Sequence, residues 1–214
     1  MKCSTCSADV RPVVAVDVDG TMANYHWGMV KFICDWLGED LHRVTKWDGI
    51  GEFSDHLRLD KETYRKIKLA YRAGGFKRWM HAMEDAGPMM RKLHDLGVEV
   101  WVTTTRPWMR MDNVDDDTKE WLRRNDIPYD YLLFDEDKYK RLTELVDAGR
   151  IVAVLDDEEE QRDRCAALHL PFVLRSTGWN YGVKHPGGQV VEASLMNFIP
   201  IVEERLAVRH ALQH

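Results

Sequence analysis

Two pairs of aspartates directly follow apolar segments, at the positions where predicted strands would end. Asp17 and Asp19 follow one β-branched run, and Asp156 and Asp157 follow another. Open parallel sheets bind ligands at the carboxyl ends of their strands. Converging carboxylates repel each other unless they share a proton or a cation, and Mg²⁺ is bound by few carboxylates together with waters and phosphate oxygens. The pairs therefore indicate a divalent metal site, although a single aspartate after a strand more commonly caps a turn.

Five short apolar runs predict the buried strands that would position these carboxylates. They are residues 12–16, 98–104, 131–134, 151–155 and, more weakly, 171–174. From residue 98 onward, helical patterns alternate with these runs, which predicts right-handed βαβ crossovers and a parallel sheet covered on both faces. Beyond Arg175 we expect a glycine-rich loop to residue 189 and a closing helix over residues 190–211.

The interval between the first two strands is too long for one crossover. About 65 residues lie between Thr21 and Gly87, where roughly a dozen would do. Helical patterns near residues 27–37 and 61–73 predict a small helical cap inserted after the first strand. We therefore expect an α/β core formed by residues 1–21 and 87–214, and a cap formed by residues 22–86.

The composition excludes several classes of protein. Hydrophobic residues make up 44% and charged residues 31% of the chain, as in ordinary globular domains, and the net charge is −6. A negative chain disfavours stable, non-specific nucleic-acid binding. No apolar stretch approaches the roughly 20 residues that span a bilayer, and the N-terminus lacks a signal-peptide core. We expect a cytoplasmic protein that does not bind membranes; the oligomeric state stays open, with a homodimer as one option.

Cys3 and Cys6 form a CxxC pair, which is half of a zinc site. A structural zinc site normally needs four ligands, and no second pair follows at the usual spacing. We therefore expect a reduced N-terminal tail rather than a zinc site.

The strand ends also carry a family resemblance. Residues 14–21, VAVDVDGT, resemble the DxDGT signature of the haloacid dehalogenase (HAD) superfamily of phosphohydrolases. Residues 101–107, WVTTTRP, resemble its second motif, with Thr104 as the phosphate-binding hydroxyl; Lys138 is similar to the third-motif lysine, and residues 152–157 to the acidic fourth motif. The resemblance implies a Rossmann-like parallel sheet of five strands in the order 3-2-1-4-5.

The lysine assignment has independent support. Lys138 lies in the first turn of its predicted helix, where the helix dipole disfavours a cation unless an anion is near. Lys140 and Arg141 are adjacent alternatives, and a plain surface lysine is the other interpretation.

The resemblance implies a mechanism. Asp17 would form an aspartyl phosphate, and Asp19 would act as acid and then base. Mg²⁺ would be held by Asp17, the main-chain carbonyl of Asp19 and the fourth motif, with Asp157 favoured over Asp156. Catalysis would use Thr104 and Lys138, and further phosphate and substrate contacts are expected from Gly20, Thr21, Thr105 and Arg106.

The cap resembles that of the 5'-deoxyribonucleotidase branch and of related phage-encoded phosphatases. A small phosphorylated substrate, most simply a nucleoside monophosphate, is therefore implied. Cap aromatics could stack on a base, with Phe76 and Trp79 ahead of the others. The other cap candidates are Tyr25, Trp27, Trp47 and Phe53, and two candidates outside the cap are Trp108, just past the second motif, and Trp179, in the glycine-rich loop.

Three alternatives stay open: a 3'-phosphatase acting on nucleic-acid ends, a general small-molecule phosphatase, and a non-catalytic phosphate-binding protein. The first should show a basic groove, of which this acidic chain gives little sign. The last is hard to sustain because every motif residue is present.

Overall fold

The computed structural model describes residues 11–46, 57–107, 111–178, 180 and 188–212. Their centre is a parallel sheet of six strands in the order β3-β2-β1-β4-β5-β6. The strands are β1 (Val13–Asp17), β2 (Glu99–Thr104), β3 (Tyr131–Phe134), β4 (Ile151–Asp156), β5 (Phe172–Arg175) and β6 (Gln189–Val191). The Rossmann-like α/β fold class is confirmed, and so is the order of the first five strands.

The sixth strand corrects the prediction for the end of the chain. Residues 189–191 pair with β5, with Val190 opposite Leu174, whereas we expected a loop followed by a helix from residue 190. The last helix begins only at Phe198. Val190 and Val191 are β-branched residues that suit a sheet edge better than a helix interior, and Val191 is fully buried there.

Eight α-helices in the described residues cover the sheet and form the inserted segment. They are α1 (Tyr25–Leu37), α2 (Leu41–Val44), α3 (Lys61–Ala73), α4 (Ala86–Asp95), α5 (Val114–Arg124), α6 (Lys138–Leu145), α7 (Glu159–Ala167) and α8 (Phe198–Leu212). Within the same described ranges there are three 3₁₀ turns, Phe76–Trp79, Ala148–Arg150 and Leu195–Asn197.

The central strand β1 separates two hydrophobic cores. Successive side chains of a strand point to opposite faces. Val14 and Val16 pack in one core with α4, α5 and α8, and Val13 and Ala15 pack in the other with α6 and α7. All four side chains are fully buried. Because both faces are covered, β1 is fixed in position, and so are the polar residues at its carboxyl end.

The inserted segment leaves and rejoins the core along two adjacent stretches of chain. The Asn24 N–H donates to the His81 carbonyl at 2.9 Å, and the Met83 N–H donates to the Met22 carbonyl at 2.8 Å. Between them, Ala23 and Ala82 form an antiparallel bridge. The division into a core and a cap of residues 22–86 stays a prediction, with this double connection lying near both expected boundaries.

Some sequence predictions lie outside the described residues: those for Cys3, Cys6, Trp47, Phe53, Trp108 and Trp179. Among the described helices, none combines the length and the apolar character that crossing a membrane requires.

Candidate active site

Asp17, the last residue of β1, is held by a buried lysine. The Lys138 ammonium contacts Asp17 Oδ1 and lies 2.7 Å from Asp156 Oδ2. Lys138 is the first residue of α6, and its side chain is 1% exposed. Burial works against its charge, but the carboxylates of Asp156 and Asp17 outweigh burial and raise its pKa. Lys138 is therefore a buried cation between two strand ends and not a surface lysine.

Asp156 has partners on both carboxylate oxygens. Besides Lys138, the Tyr139 hydroxyl donates to Oδ2 at 2.5 Å, and the Glu158 N–H donates to Oδ1 at 2.9 Å. Asp156 is fully buried as the last residue of β4, so it ends the strand rather than following it. These contacts fix the Asp156 carboxylate beside the Lys138 ammonium.

Asp157 packs against the turn after β1. The Thr21 hydroxyl donates to Asp157 Oδ1 at 3.0 Å, and the Asn180 amide donates to the Asp157 carbonyl at 2.8 Å. Gly20 adopts φ +95°, and a Cβ there would lie 2.2 Å from Asp157 Oδ2. Only glycine fits this turn, both for its backbone conformation and for the close approach of Asp157.

Three buried carboxylates meet between β1 and β4. Asp17, Asp156 and Asp157 offer oxygens that all lie within 4.8 Å of one another. Burial raises the pKa of Asp17 above its usual range; Lys138 opposes this shift and Asp156 adds to it. One lysine thus leaves the cluster short of positive charge, and the all-oxygen donor set suits Mg²⁺. The residues fit a divalent cation, with Asp157 better placed than Asp156 as a direct ligand because Asp156 is already bound on both oxygens.

The Asp19 carboxylate lies apart from this cluster and is held by two cations. Arg106 Nη2 donates to Oδ1 at 2.5 Å and Nε donates to Oδ2 at 3.1 Å, while the Lys77 ammonium contacts Oδ2. Burial would raise the pKa of Asp19, but Arg106 and Lys77 outweigh it and hold this pKa below its usual range. Asp19 is therefore ionised in this state.

The structure shows the surroundings of four residues that were expected to contact the substrate. Thr104 is buried at the end of β2, and its hydroxyl accepts from the Arg106 N–H at 3.4 Å. Thr105 is exposed, Thr21 is bound to Asp157, and Arg106 uses its guanidinium on Asp19 and on the Thr118 hydroxyl. Direct contact of these residues with a substrate stays a prediction.

The two preferred aromatics lie on the 3₁₀ turn that leads back to the core. Phe76 packs against Phe32, with ring centroids 4.4 Å apart, and stacks on Tyr71. Trp79 is 60% exposed, and the Arg124 guanidinium lies 3.9 Å from its ring centroid. Stacking of either ring on a base stays a prediction.

A family match decides the identity of the chain. Residues 11–146, more than half of the chain, match the family described as 5' nucleotidase, deoxy (pyrimidine), cytosolic type C protein. The chain belongs to this family. It is thus a phosphomonoester hydrolase of the HAD superfamily, near the nucleotidase branch, as the motifs indicated. The matched range contains Asp17, Asp19, Thr104 and Lys138 and ends before Asp156.

Solved structures of low sequence identity share the fold of this nucleotidase-family chain. A predicted phosphatase from Clostridium acetobutylicum is 17% identical with a TM-score of 0.64, over 91% of this chain and 99% of that one. Protein tyrosine kinase A of Mycobacterium tuberculosis is 14% identical with a TM-score of 0.62, over 91% and 99%. A HAD-superfamily hydrolase from Geobacter sulfurreducens is 17% identical with a TM-score of 0.57, over 90% and 100%. No curated protein sequence matches the chain.

Sequence reasoning missed three residues that support the site: Lys77, Tyr139 and Asn180. Tyr139 directly follows Lys138 in the sequence, so its position beside the site could have been inferred once Lys138 was assigned as the third-motif lysine. Lys77 and Asn180 reach the site from distant segments that carry no motif, and only the tertiary structure reveals their contacts.

Proposed function

We propose that this phosphomonoester hydrolase uses Mg²⁺ and an aspartyl phosphate at Asp17 to hydrolyse deoxynucleoside or nucleoside monophosphates. One observation carries the proposal: Asp17 ends the central strand, paired with the buried Lys138, beside two further buried aspartates. Such an arrangement provides an oxygen nucleophile, a fixed cation and ligands for a metal ion at one point.

In the first half-reaction, a carboxylate oxygen of Asp17 attacks the phosphorus atom of the substrate. The new O–P bond forms as the bond from phosphorus to the ester oxygen breaks, and that bond's electron pair stays on the leaving oxygen. The carboxylic acid form of Asp19 gives its proton to this oxygen, so that the alcohol departs neutral. Splitting the hydrolysis in this way replaces one difficult step by two easier ones.

In the second half-reaction, water attacks the phosphorus atom of the aspartyl phosphate. Asp19, now a carboxylate, takes a proton from the water, and the bond from phosphorus to the Asp17 oxygen breaks. Inorganic phosphate leaves, and both aspartates regain their starting state. The ionised Asp19 of the structure matches the form needed in this half. An incoming phosphate dianion raises the pKa of Asp19 by adding negative charge, which favours the acid form needed in the first half.

The remaining charges of the substrate meet fixed positive groups. Lys138 stays beside Asp17 throughout, where it offsets the negative charge that the phosphoryl oxygens carry. Thr104, buried at the end of β2, is in place to offer its hydroxyl to a phosphate oxygen. A Mg²⁺ ion held by Asp17 and Asp157, and by the Asp19 carbonyl as the superfamily resemblance implies, would add Lewis-acid stabilisation when bound.

The nucleotide substrate is supported by the family to which the chain belongs and by the inserted helical segment. That segment brings aromatic side chains of α1, α3 and the 3₁₀ turn together around Phe32, Tyr71 and Phe76. Aromatic rings are the usual partners of unstacked bases. A cytoplasmic location and a homodimer stay predictions.

A substrate panel tests this substrate class. With Mg²⁺ present, phosphate release is measured from deoxynucleoside and nucleoside 5'-monophosphates, their 3'-isomers, sugar phosphates and a 3'-phosphorylated oligonucleotide. We expect the highest kcat/KM with a nucleoside monophosphate, because the cap can contact its base. Faster release from the oligonucleotide would favour end processing, and equal rates on nucleotides and sugar phosphates would show that the cap does not recognise a base.

A further inference from the structure

Lys77 is a buried lysine whose ammonium contacts the Asp19 carboxylate. Its residue exposure is 2%, and its ammonium also lies 4.5 Å from the centroid of the Tyr25 ring. Burying a lysine is costly unless a partner compensates its charge. It lies in the sequence between Phe76 and Trp79, outside the segments that carry the superfamily motifs.

The 3₁₀ turn that carries Lys77 is fastened to α5. The next residue, Arg78, donates to Asp117 Oδ1 from Nε at 2.9 Å and from Nη2 at 2.6 Å, and Asp117 is almost fully buried. The Trp121 indole N–H donates to the Met80 carbonyl at 2.8 Å. Although it belongs to the inserted segment by sequence, the turn is thus tied to a helix of the core at two positions that closely follow Lys77.

The second cation on Asp19 is fastened to the same helix. Arg106 Nη1 donates to the Thr118 hydroxyl at 2.8 Å, and this hydroxyl donates to the Val114 carbonyl at 2.6 Å. Helix α5 therefore supports both cations, one through each of two separate chain segments. Asp19 Oδ2 accepts from Lys77 Nζ and Arg106 Nε, and Oδ1 accepts from Arg106 Nη2.

We propose that Lys77 is a positioning residue of the phosphatase reaction, which together with Arg106 fixes the Asp19 carboxyl where it exchanges a proton with the leaving-group oxygen. Arg106 holds the carboxylate through Nε and Nη2, and Lys77 contacts Oδ2 from a different chain segment, so the carboxylate is held from two directions. The inference rests on the proposed function, since it assigns Asp19 the role of general acid.

This role predicts a dependence on the leaving group. An alkoxide from a nucleotide or another alkyl phosphate needs a proton as it leaves, whereas p-nitrophenolate leaves readily without one. Loss of a well-placed general acid costs about 10²- to 10⁴-fold. Loss of its positioning by Lys77→Met is expected to lower kcat on an alkyl phosphate by about 10- to 100-fold, and kcat on p-nitrophenyl phosphate by less than about 3-fold. KM should change little on either ester.

The experiment compares the wild type with Lys77→Met, Lys77→Gln and Lys77→Arg on both esters, with Mg²⁺ present. Lys77→Arg keeps a cation and should recover part of the alkyl-phosphate rate. Lys66→Met is the matched control: Lys66 is an exposed lysine of α3 that pairs with Glu62 at 2.7 Å, and its loss should leave both rates unchanged. Thermal melting of each variant shows whether it is folded.

Several outcomes would overturn the inference. A similar fall in kcat on both esters would mean that Lys77 does not act through the leaving group. A change confined to KM would make it a binding residue, and loss of the melting transition in both Lys77→Met and Lys77→Gln would make it purely structural. If the wild type hydrolyses neither ester, the proposed function itself fails, which is a separate result.

Discussion

Replacing Asp17 by Asn is expected to lower kcat by about 10⁴-fold or more, because it removes the nucleophile while keeping the shape of the side chain. The measurement is phosphate release from the best substrate of the panel, with Mg²⁺ at saturation. An amide oxygen is too weak a nucleophile to form the covalent intermediate, so neither half-reaction can proceed through residue 17.

The same substitution is expected to leave the fold intact. Burial disfavours the charged form of Asp17, and a neutral side chain of the same volume avoids that cost. Lys138 keeps Asp156 as its partner at 2.7 Å. The melting temperature of Asp17→Asn should therefore equal or exceed that of the wild type.

Asp163→Asn is the matched control for Asp17→Asn. Asp163 lies on α7 with a side chain that is 72% exposed, and its loss should leave activity unchanged. Retention of more than a few per cent of the wild-type kcat in Asp17→Asn would contradict the role of Asp17, once Asp17→Ala has shown that deamidation of Asn is not the source.

Replacing Lys138 by Met is expected to damage both activity and stability. It leaves Asp17 and Asp156 buried without their shared cation, and removing one partner of a buried ion pair typically costs about 3–5 kcal/mol. Loss of a fixed charge beside the phosphoryl group should lower kcat by about 10²- to 10³-fold. Chemical denaturation and phosphate release measure the two effects.

The stability loss in Lys138→Met should grow as the pH rises above about 8. Without the ammonium, the attraction that opposes burial at Asp17 is lost, so the pKa of Asp17 lies further above the value of the unfolded chain than it does in the wild type. An acid whose pKa is raised by folding is destabilising wherever the unfolded chain is ionised and the folded one resists ionisation, which is above about pH 4. The wild type shares this cost up to about pH 8, the value to which burial raises the pKa of its Asp17. The gap in unfolding free energy between variant and wild type should therefore be constant below about pH 8 and widen above it.

Lys140→Met is the matched control for this substitution. Lys140 is two residues further along α6 and exposed, so its loss should change neither stability nor rate. A gap that stays constant above about pH 8 in Lys138→Met would contradict the assignment of the loss to the buried carboxylates. The Asp17→Asn, Lys138→Met double variant should be more stable than Lys138→Met alone, because it removes one stranded charge.

The core of the fold could be predicted because its signals are local. The runs over residues 131–134 and 151–155 match β3 and β4 to within one residue, since buried parallel strands are continuous apolar segments. The pattern over residues 61–73 matches α3, where Asp60 caps the first turn by accepting from the Thr63 N–H. The DxDGT motif that contains Gly20, Asp17 and Asp19 could likewise be recognised in the sequence, directly after the first predicted strand.

The remaining features depend on contacts between distant segments. The strand β6 is only three residues long and is stabilised by pairing with β5. A short apolar run in a sequence does not show which strand it will pair with. The environment of Asp19 is set by Lys77, which lies 58 residues away, and by Arg106, which lies 87 residues away. The sequence suggested that Arg106 binds substrate, and it could not show that its guanidinium is engaged by Asp19 and Thr118.

The most direct test of Mg²⁺-dependent phosphomonoester hydrolysis is phosphate release by the wild-type chain with Mg²⁺, after removal of the metal by EDTA, and after Mg²⁺ is restored. Thermal melting under the same three conditions reports binding of the ion to the folded chain. We expect release from small phosphomonoesters that disappears in EDTA and returns with Mg²⁺, together with a higher melting temperature when the ion is present. Absence of release from every ester, while Mg²⁺ still raises the melting temperature, would contradict this expectation.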